Sequence, residues 1–85
     1  MNEFKGTPGP WVVGGNEGNK LSVNADPYFV ALVDEGDSQE ANARLIAAAP
    51  ELLEALQIIC FFEDISSAQR EIAEAAIAKA LGESK

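Results

Sequence analysis

The side chains in this chain that could do chemistry are mostly carboxylates. A spacing of three residues on a helix puts two of them on one face, where acid–base chemistry or a divalent cation could use them. The acidic groups are Asp34 with Glu35 and Asp37, Glu51 with Glu54, and Glu71 with Glu74. The chain has fourteen acidic and six basic residues, and a solvated acidic face is the simpler interpretation. We therefore expect no catalytic residues and no metal site.

Several reaction mechanisms are excluded by composition. The chain has no histidine, and Cys60 is its single cysteine. Neither a Ser-His-Asp nor a Cys-His arrangement can be assembled, nor can a zinc site of histidine and cysteine ligands. The glycine-rich stretch 14–18 lacks the lysine and hydroxyl residue of a phosphate-binding loop, and it predicts a hairpin turn instead. We predict a protein that is not an enzyme and has no cofactor.

A small anion-binding site is a further hypothesis. Lys5, Lys20 and Arg44 are the cations of the first half of the chain, so an anionic ligand would need one of them. Asn42 and Arg44 stand at the polar start of a predicted helix, where an aromatic ring beside them could stack on a ligand. The predicted lining residues are Trp11, Lys20, Tyr28, Asn42 and Arg44.

Each of these residues also has a simpler structural interpretation. Arg44 is placed to form a surface salt bridge with Glu40 or Glu51. Trp11 follows a proline-rich turn and is typical of a core anchor. Cys60 lies on an apolar helical track, where a buried and unreactive thiol is expected, and a single cysteine fits a reducing cytoplasm.

Size and charge restrict the partners. A net charge of −8 disfavours direct binding to nucleic acid or to anionic membranes. The acidic surface either maintains solubility or competes for the basic groove of a nucleic-acid-binding protein. Fourteen of the 85 residues are alanine, so the core is thin and a homodimer or higher oligomer is predicted. The N-terminus lacks the apolar stretch of a signal peptide, and no membrane span is predicted.

Composition divides a predicted single domain, residues 1–85, into a strand-rich half (1–37) and a helical half (38–85). This order predicts an α+β fold in which a three-stranded antiparallel β-meander precedes two helices. The strands are predicted at 11–14, 20–25 and 28–34, and the proline-rich entry to the first is predicted to be an edge or a loop. The third is apolar on both faces, so it is either central or meets a partner through its outer face. Alternation places Phe29, Ala31 and Val33 together, opposite Tyr28, Val30 and Leu32.

The first predicted helix covers residues 38–62, with a kink or a break at Pro50. Two apolar tracks run along it at the helical period, and both are predicted to face the core. One contains Leu45, Ala48, Leu52, Leu56 and Ile59, and the other Ile46, Ala49, Leu53, Leu56 and Cys60. A second helix, capped by Ser66 or Ser67 and ending at Gly82, is predicted with Ile72 inward and Arg70 outward.

Two blocks of sequence, TPGPW at 7–11 and EANARLIAAAPELLEAL at 40–56, resemble a family of small proteins from tailed bacteriophages and prophages. The resemblance implies a viral accessory protein in the bacterial cytoplasm, and it carries no catalytic residues to transfer. By analogy with such proteins, we expect a binder of a host protein that inhibits an anti-phage system. The expected contacts are Asp34, Glu35, Asp37, Glu71 and Glu74. The alternative is an oligomeric sponge that sequesters a small nucleotide signal.

Overall fold

A computed structural model describes residues 4–82. Within them, three strands precede two helices: β1 (Val12–Glu17), β2 (Lys20–Ala25), β3 (Tyr28–Val33), α1 (Gln39–Phe62) and α2 (Ser67–Ala80). The strands form one antiparallel sheet in the order β1-β2-β3. The predicted α+β class, with a three-stranded meander followed by a long helix and a C-terminal helix, is confirmed.

The chain divides into two compact units. Within the described residues, one unit comprises 7–51, which includes the sheet and the first half of α1. The other comprises 4–6 and 52–82, which includes the second half of α1 and all of α2. The composition change at residues 37 and 38 therefore lies just before the start of α1, whereas the boundary between the units lies inside α1.

The core of the sheet lies on its central strand, β2. Val23 is completely buried there, and Ser22 and Ala25 are nearly so. The prediction that strand 28–34 is central is wrong, because β3 lies at an edge of the sheet. A central position in the sheet therefore does not explain why β3 is apolar on both faces. The other prediction, that the solvent-facing side of this strand meets a partner, remains a prediction.

A β-bulge interrupts the alternation of β3. Phe29 pairs with Asn24 and Ala31 pairs with Val23, so two steps along β3 correspond to one step along β2. Val30 is the additional residue, and the side chains after it exchange faces relative to those before it. Simple alternation missed this because one extra residue inverts the pattern.

The bulge brings exposed apolar residues onto one side of the sheet. Paired residues project to the same face. Val12 and Phe29 both pair with Asn24, and Leu32 follows on that face after the bulge. All three of these side chains are exposed. We call Val12, Phe29 and Leu32 the outer face; the prediction that Phe29 and Leu32 lie on opposite sides is wrong.

A second bulge lies on β1 at two consecutive glycines. Gly14 and Gly15 lie opposite Ser22, whose hydroxyl donates a 2.8 Å hydrogen bond to the carbonyl of Gly15. A Cβ atom on Gly14 would lie 2.2 Å from Nδ2 of Asn24 and 2.7 Å from Oγ of Ser22. Glycine at position 14 therefore allows two polar side chains of β2 to lie across the backbone of β1.

Helix α1 continues through Pro50 as one helix, so the alternative of a break at this residue is wrong. Its two apolar tracks differ in burial. Cys60 is completely buried and Leu53 is half-buried, whereas Leu45, Leu52 and Ile59 are exposed. Only the track that contains Cys60 is directed inward, and the prediction that both tracks face the core is wrong.

Helix α2 begins with a capping box. The backbone N–H of Gln69 donates to Oγ of Ser66, and the backbone N–H of Ser66 donates to Oε1 of Gln69, each at 3.1 Å. Ser66 is therefore the N-cap, as one of the two predicted alternatives had it. The helix ends at Ala80, two residues before the predicted end at Gly82, whose φ is +76°.

The inward side of α2 differs from the predicted one. Ile72 is 72% exposed, whereas Ala73 is buried. Arg70 is half-buried, and its guanidinium donates to the carbonyl oxygens of Cys60 and Glu63. The predictions of an inward Ile72 and an outward Arg70 are wrong, because the end of α1 presents carbonyl groups that a cation binds better than an isoleucine does.

Among the described residues, α1 is long and apolar enough to cross a membrane by length and composition. Only 6% of the apolar stretch is buried within the structure. The same stretch contains Glu51 and Glu54, and carboxylates are unfavourable inside a lipid bilayer. Length and composition alone are weak evidence for a span, and the exposed apolar surface of α1 is the more informative observation.

Candidate functional site

The acidic loop between β3 and α1 comprises Asp34, Glu35 and Asp37, and all three residues are exposed. Asp34 forms an ion pair with Lys20, although 81% of the Asp34 side chain remains accessible to solvent. Glu35 and Asp37 extend the negative charge beyond this pair. The carboxylates of the acidic loop are therefore directly accessible to a cationic surface.

The start of α1 is attached to the sheet just after this loop. Nε2 of Gln39 donates to the carbonyl of Asn19 at 2.9 Å and to that of Val33 at 3.0 Å. These bonds connect the helix to the β1–β2 turn and to the end of β3. The loop is therefore held at both ends, which limits the conformational entropy that it would lose on binding.

The outer face precedes the acidic loop along the chain. Phe29 is 60% exposed and Leu32 is 47% exposed, and the acidic residues begin two positions after Leu32. Protein-binding surfaces commonly combine aromatic and aliphatic contacts with a charged rim. The sequence pattern did not predict that Phe29 and Leu32 share a face, because the bulge at Val30, which aligns them, contains no glycine or proline.

The second acidic pair, Glu71 and Glu74, lies on α2 and is exposed. It belongs to the unit of residues 52–82, whereas the acidic loop belongs to the unit of residues 7–51. The five predicted contact residues thus form two separate groups, one in each unit. Each group must be tested separately.

The two cations of the predicted anion site are paired with carboxylates. Lys20 pairs with Asp34, and Arg44 pairs with Glu40 at 3.4 Å across one turn of α1. The salt bridge between Arg44 and Glu40 was one of the structural interpretations of Arg44, and the structure shows it. An anionic ligand would therefore compete with a carboxylate at each of these cations.

The two aromatic residues of the predicted anion site lie elsewhere. Nε1 of Trp11 donates to the carbonyl of Thr7 at 3.0 Å, which closes the proline-rich turn. Tyr28 lines a cleft of about 380 Å³ together with residues 7–10 and the β2–β3 turn. Lys20, Asn42 and Arg44 do not line this cleft. Tyr28 therefore does not share this cleft with the cations of the predicted site, and the anion site remains a prediction.

Metal and redox chemistry find little support among the described residues. Within residues 4–82, no group of three or more histidine, cysteine, aspartate or glutamate side chains is arranged to hold a metal ion. Cys60 is completely buried, which is typical of an unreactive thiol. The outer face, the acidic loop and the exposed sides of the two helices are accessible to a partner.

Comparison with known families assigns the chain to a viral group. The family model described as Salmonella phage P22 protein Y8K6 matches residues 1–84, nearly the entire sequence. The chain belongs to this family. No curated protein and no solved structure matches it. The resemblance to small bacteriophage proteins is confirmed at the level of the family, while the importance of the two blocks at 7–11 and 40–56 remains a prediction.

Proposed function

We propose that this member of the P22 Y8K6 family is a non-enzymatic accessory protein of the phage that binds a host protein in the bacterial cytoplasm. The observation that carries the proposal is the outer face, which leads directly into the acidic loop. Phe29 and Leu32 supply apolar contact area, and Glu35 and Asp37 supply exposed charge in the loop that follows along the chain. This combination fits a partner whose basic residues surround an apolar patch.

Inhibition of an anti-phage defence system is the role that we propose for this binding. Occluding a surface of a host protein requires no catalytic group, and a chain without histidine and with a buried cysteine is suited to such a role. A defence protein that binds nucleic acid would present a basic groove, to which a chain with a net charge of −8 is complementary.

The experiment is capture of host proteins on the immobilised chain, with quantitative mass spectrometry at low and high salt. We expect a basic host protein whose recovery falls as salt rises, because exposed charges are screened. Expression of the chain should also restore phage growth on a host that carries the targeted defence system. If no host protein is enriched over a charge-matched control protein, the proposal is wrong.

The nucleotide sponge is the alternative, and it receives less support. At Lys20 and Arg44 the ligand would compete with the carboxylates of Asp34 and Glu40. A ligand that binds only the native state raises the melting temperature, so a thermal-shift screen with cyclic nucleotides tests the idea directly. We expect no shift, and a concentration-dependent rise with any nucleotide would favour the sponge over the host-binding role.

A further inference from the structure

The unit formed by residues 4–6 and 52–82 buries very little of its own apolar surface. Among the described residues of this unit, only Cys60 and Ala73 are buried. Both are small, and two small side chains cannot provide the core that an independently stable helical hairpin needs. Within residues 52–82, this unit therefore leaves large apolar side chains exposed.

Some of these side chains lie around one groove. The groove has a volume of about 420 Å³ and is lined by Leu56 and Ile59 of α1, by Ile65 of the segment between the helices, and by Gln69, Ile72, Ala73 and Ala76 of α2. Leu52 lies one turn before Leu56 on the same side of α1, and Phe62 lies one turn after Ile59. Gln69 is the one polar residue of the lining. We call this surface, including Leu52 and Phe62, the groove face.

We propose that the groove face binds the groove face of a second copy of this chain, so that α1 and α2 of two protomers form a four-helix arrangement. The face is suited to pairing with itself, because it contains a groove between the helices and also exposed side chains. A side chain such as Ile72 of one protomer can enter the groove of the other. A two-fold axis would then use each groove and each projection twice. This inference does not depend on the proposed host-binding function.

The exposed area is sufficient for a stable dimer. Leu52, Ile59, Phe62 and Ile72 are each 44–74% exposed. At roughly 150 Å² for a large apolar side chain, they contribute about 350 Å² of apolar surface per protomer, or about 700 Å² for the pair. Because apolar atoms form about 60% of an interface, the total would be about 1,200 Å². That value is at the lower end of the range for stable complexes.

A second copy fits better than the other occupants. A host protein is encountered only after synthesis, whereas another copy is present whenever the chain folds and can complete its core. A membrane with anionic lipids would repel a chain with a net charge of −8. Two copies also repel each other electrostatically, so salt should strengthen the dimer by screening this repulsion. Host binding through the acidic loop should respond to salt in the opposite direction.

The test is sedimentation equilibrium of the full-length chain over a range of concentrations, at low and high salt. We expect a dimer of twice the 9.0 kDa chain mass, a larger dimeric fraction at high salt, and a melting temperature that rises with protein concentration. A 9.0 kDa monomer at every concentration and salt, with a constant melting temperature, would overturn the proposal. Flotation with phosphatidylcholine vesicles by a chain that remains monomeric would overturn it in favour of a lipid surface.

Two neighbouring isoleucines provide a matched pair of variants. Ile59 lines the groove and is 44% exposed, whereas Ile58 does not line it and is 47% exposed. We expect Ile59→Glu to reduce the association constant at least tenfold and Ile58→Glu to preserve the dimer, with circular dichroism verifying the helices of both. Ile72→Glu, at a 72% exposed position on α2, should also dissociate the dimer. Equal effects of Ile58→Glu and Ile59→Glu would show that the groove face is not the interface.

Discussion

Gly9 and Pro50 lie in close contact: a Cβ atom on Gly9 would be 3.1 Å from Cβ of Pro50 and 3.4 Å from its Cγ. The first residue belongs to the block at 7–11 and the second to the block at 40–56, so the two blocks that carry the resemblance to phage proteins meet in the fold. The proline-rich turn thus packs on α1 at its internal proline. A glycine suits this position because a side chain would crowd the Cβ and Cγ atoms of the Pro50 ring.

This contact predicts that Gly9→Ala lowers the free energy of unfolding by roughly 1–2 kcal/mol, within the range for overpacking. The proline ring is part of the helix backbone and cannot turn away as a flexible side chain could. Chemical denaturation measures the effect. Gly36→Ala is the control, because no atom lies within 4 Å of that position, and it should change stability by less than about 0.5 kcal/mol. Equal stability of the two variants would contradict the contact.

The bulge on β1 predicts a larger effect at Gly14. A Cβ there would collide with Asn24 and with Ser22, which is 1% exposed and cannot move freely. We expect Gly14→Ala to cost about 2–3 kcal/mol, the upper part of the overpacking range. The same substitution at Gly15, which has no neighbour within 4 Å, should have little effect on the unfolding midpoint in urea. A midpoint for Gly14→Ala that equals that of Gly15→Ala would rule out the proposed crowding.

Arg70 is predicted to stabilise the unit of residues 52–82. The carbonyl of Cys60 is among the last four of α1, which have no partner within the helix, and Arg70 donates to it. Removing this donor with Arg70→Met should cost about 1–2 kcal/mol and increase hydrogen exchange in α2. The control is Arg44→Met, which removes only an exposed ion pair with Glu40 and should cost under about 0.5 kcal/mol. Similar exchange rates in both variants would argue against the capping role.

The acidic loop yields a prediction about the proposed host partner. The double variant Glu35→Gln/Asp37→Asn raises the net charge from −8 to −6, since each substitution removes one negative charge. It should reduce recovery of the partner and flatten its salt dependence. Glu63→Gln/Asp64→Asn makes the same change in net charge outside the acidic loop and should leave recovery unchanged. Equal losses in both double variants would indicate a general charge effect rather than a specific site.

Local sequence signals predicted the elements of the fold well. Glycine, asparagine and proline between stretches of alternating residues indicated the turns. Ser66, one of the two predicted caps, is the N-cap of α2. The apolar period correctly predicted that α1 continues through Pro50. These features depend on backbone conformation and on neighbours within about four residues. The candidate contacts were harder to predict, because an apolar residue at the right period can face either a core or a partner.

The sequence by itself determined the α+β order, the acidic charge and the lack of histidine chemistry, since these follow from composition and local periodicity. Only the tertiary structure decided which side of each strand and helix is buried and which is exposed. The extra residue at Val30 aligned Phe29 with Leu32, and the carbonyl groups at the end of α1 turned Arg70 inward and left Ile72 exposed. Strand register and helix rotation depend on residues that are distant in the sequence. In a short chain with a thin core, the same apolar period is compatible with more than one orientation of a helix or strand.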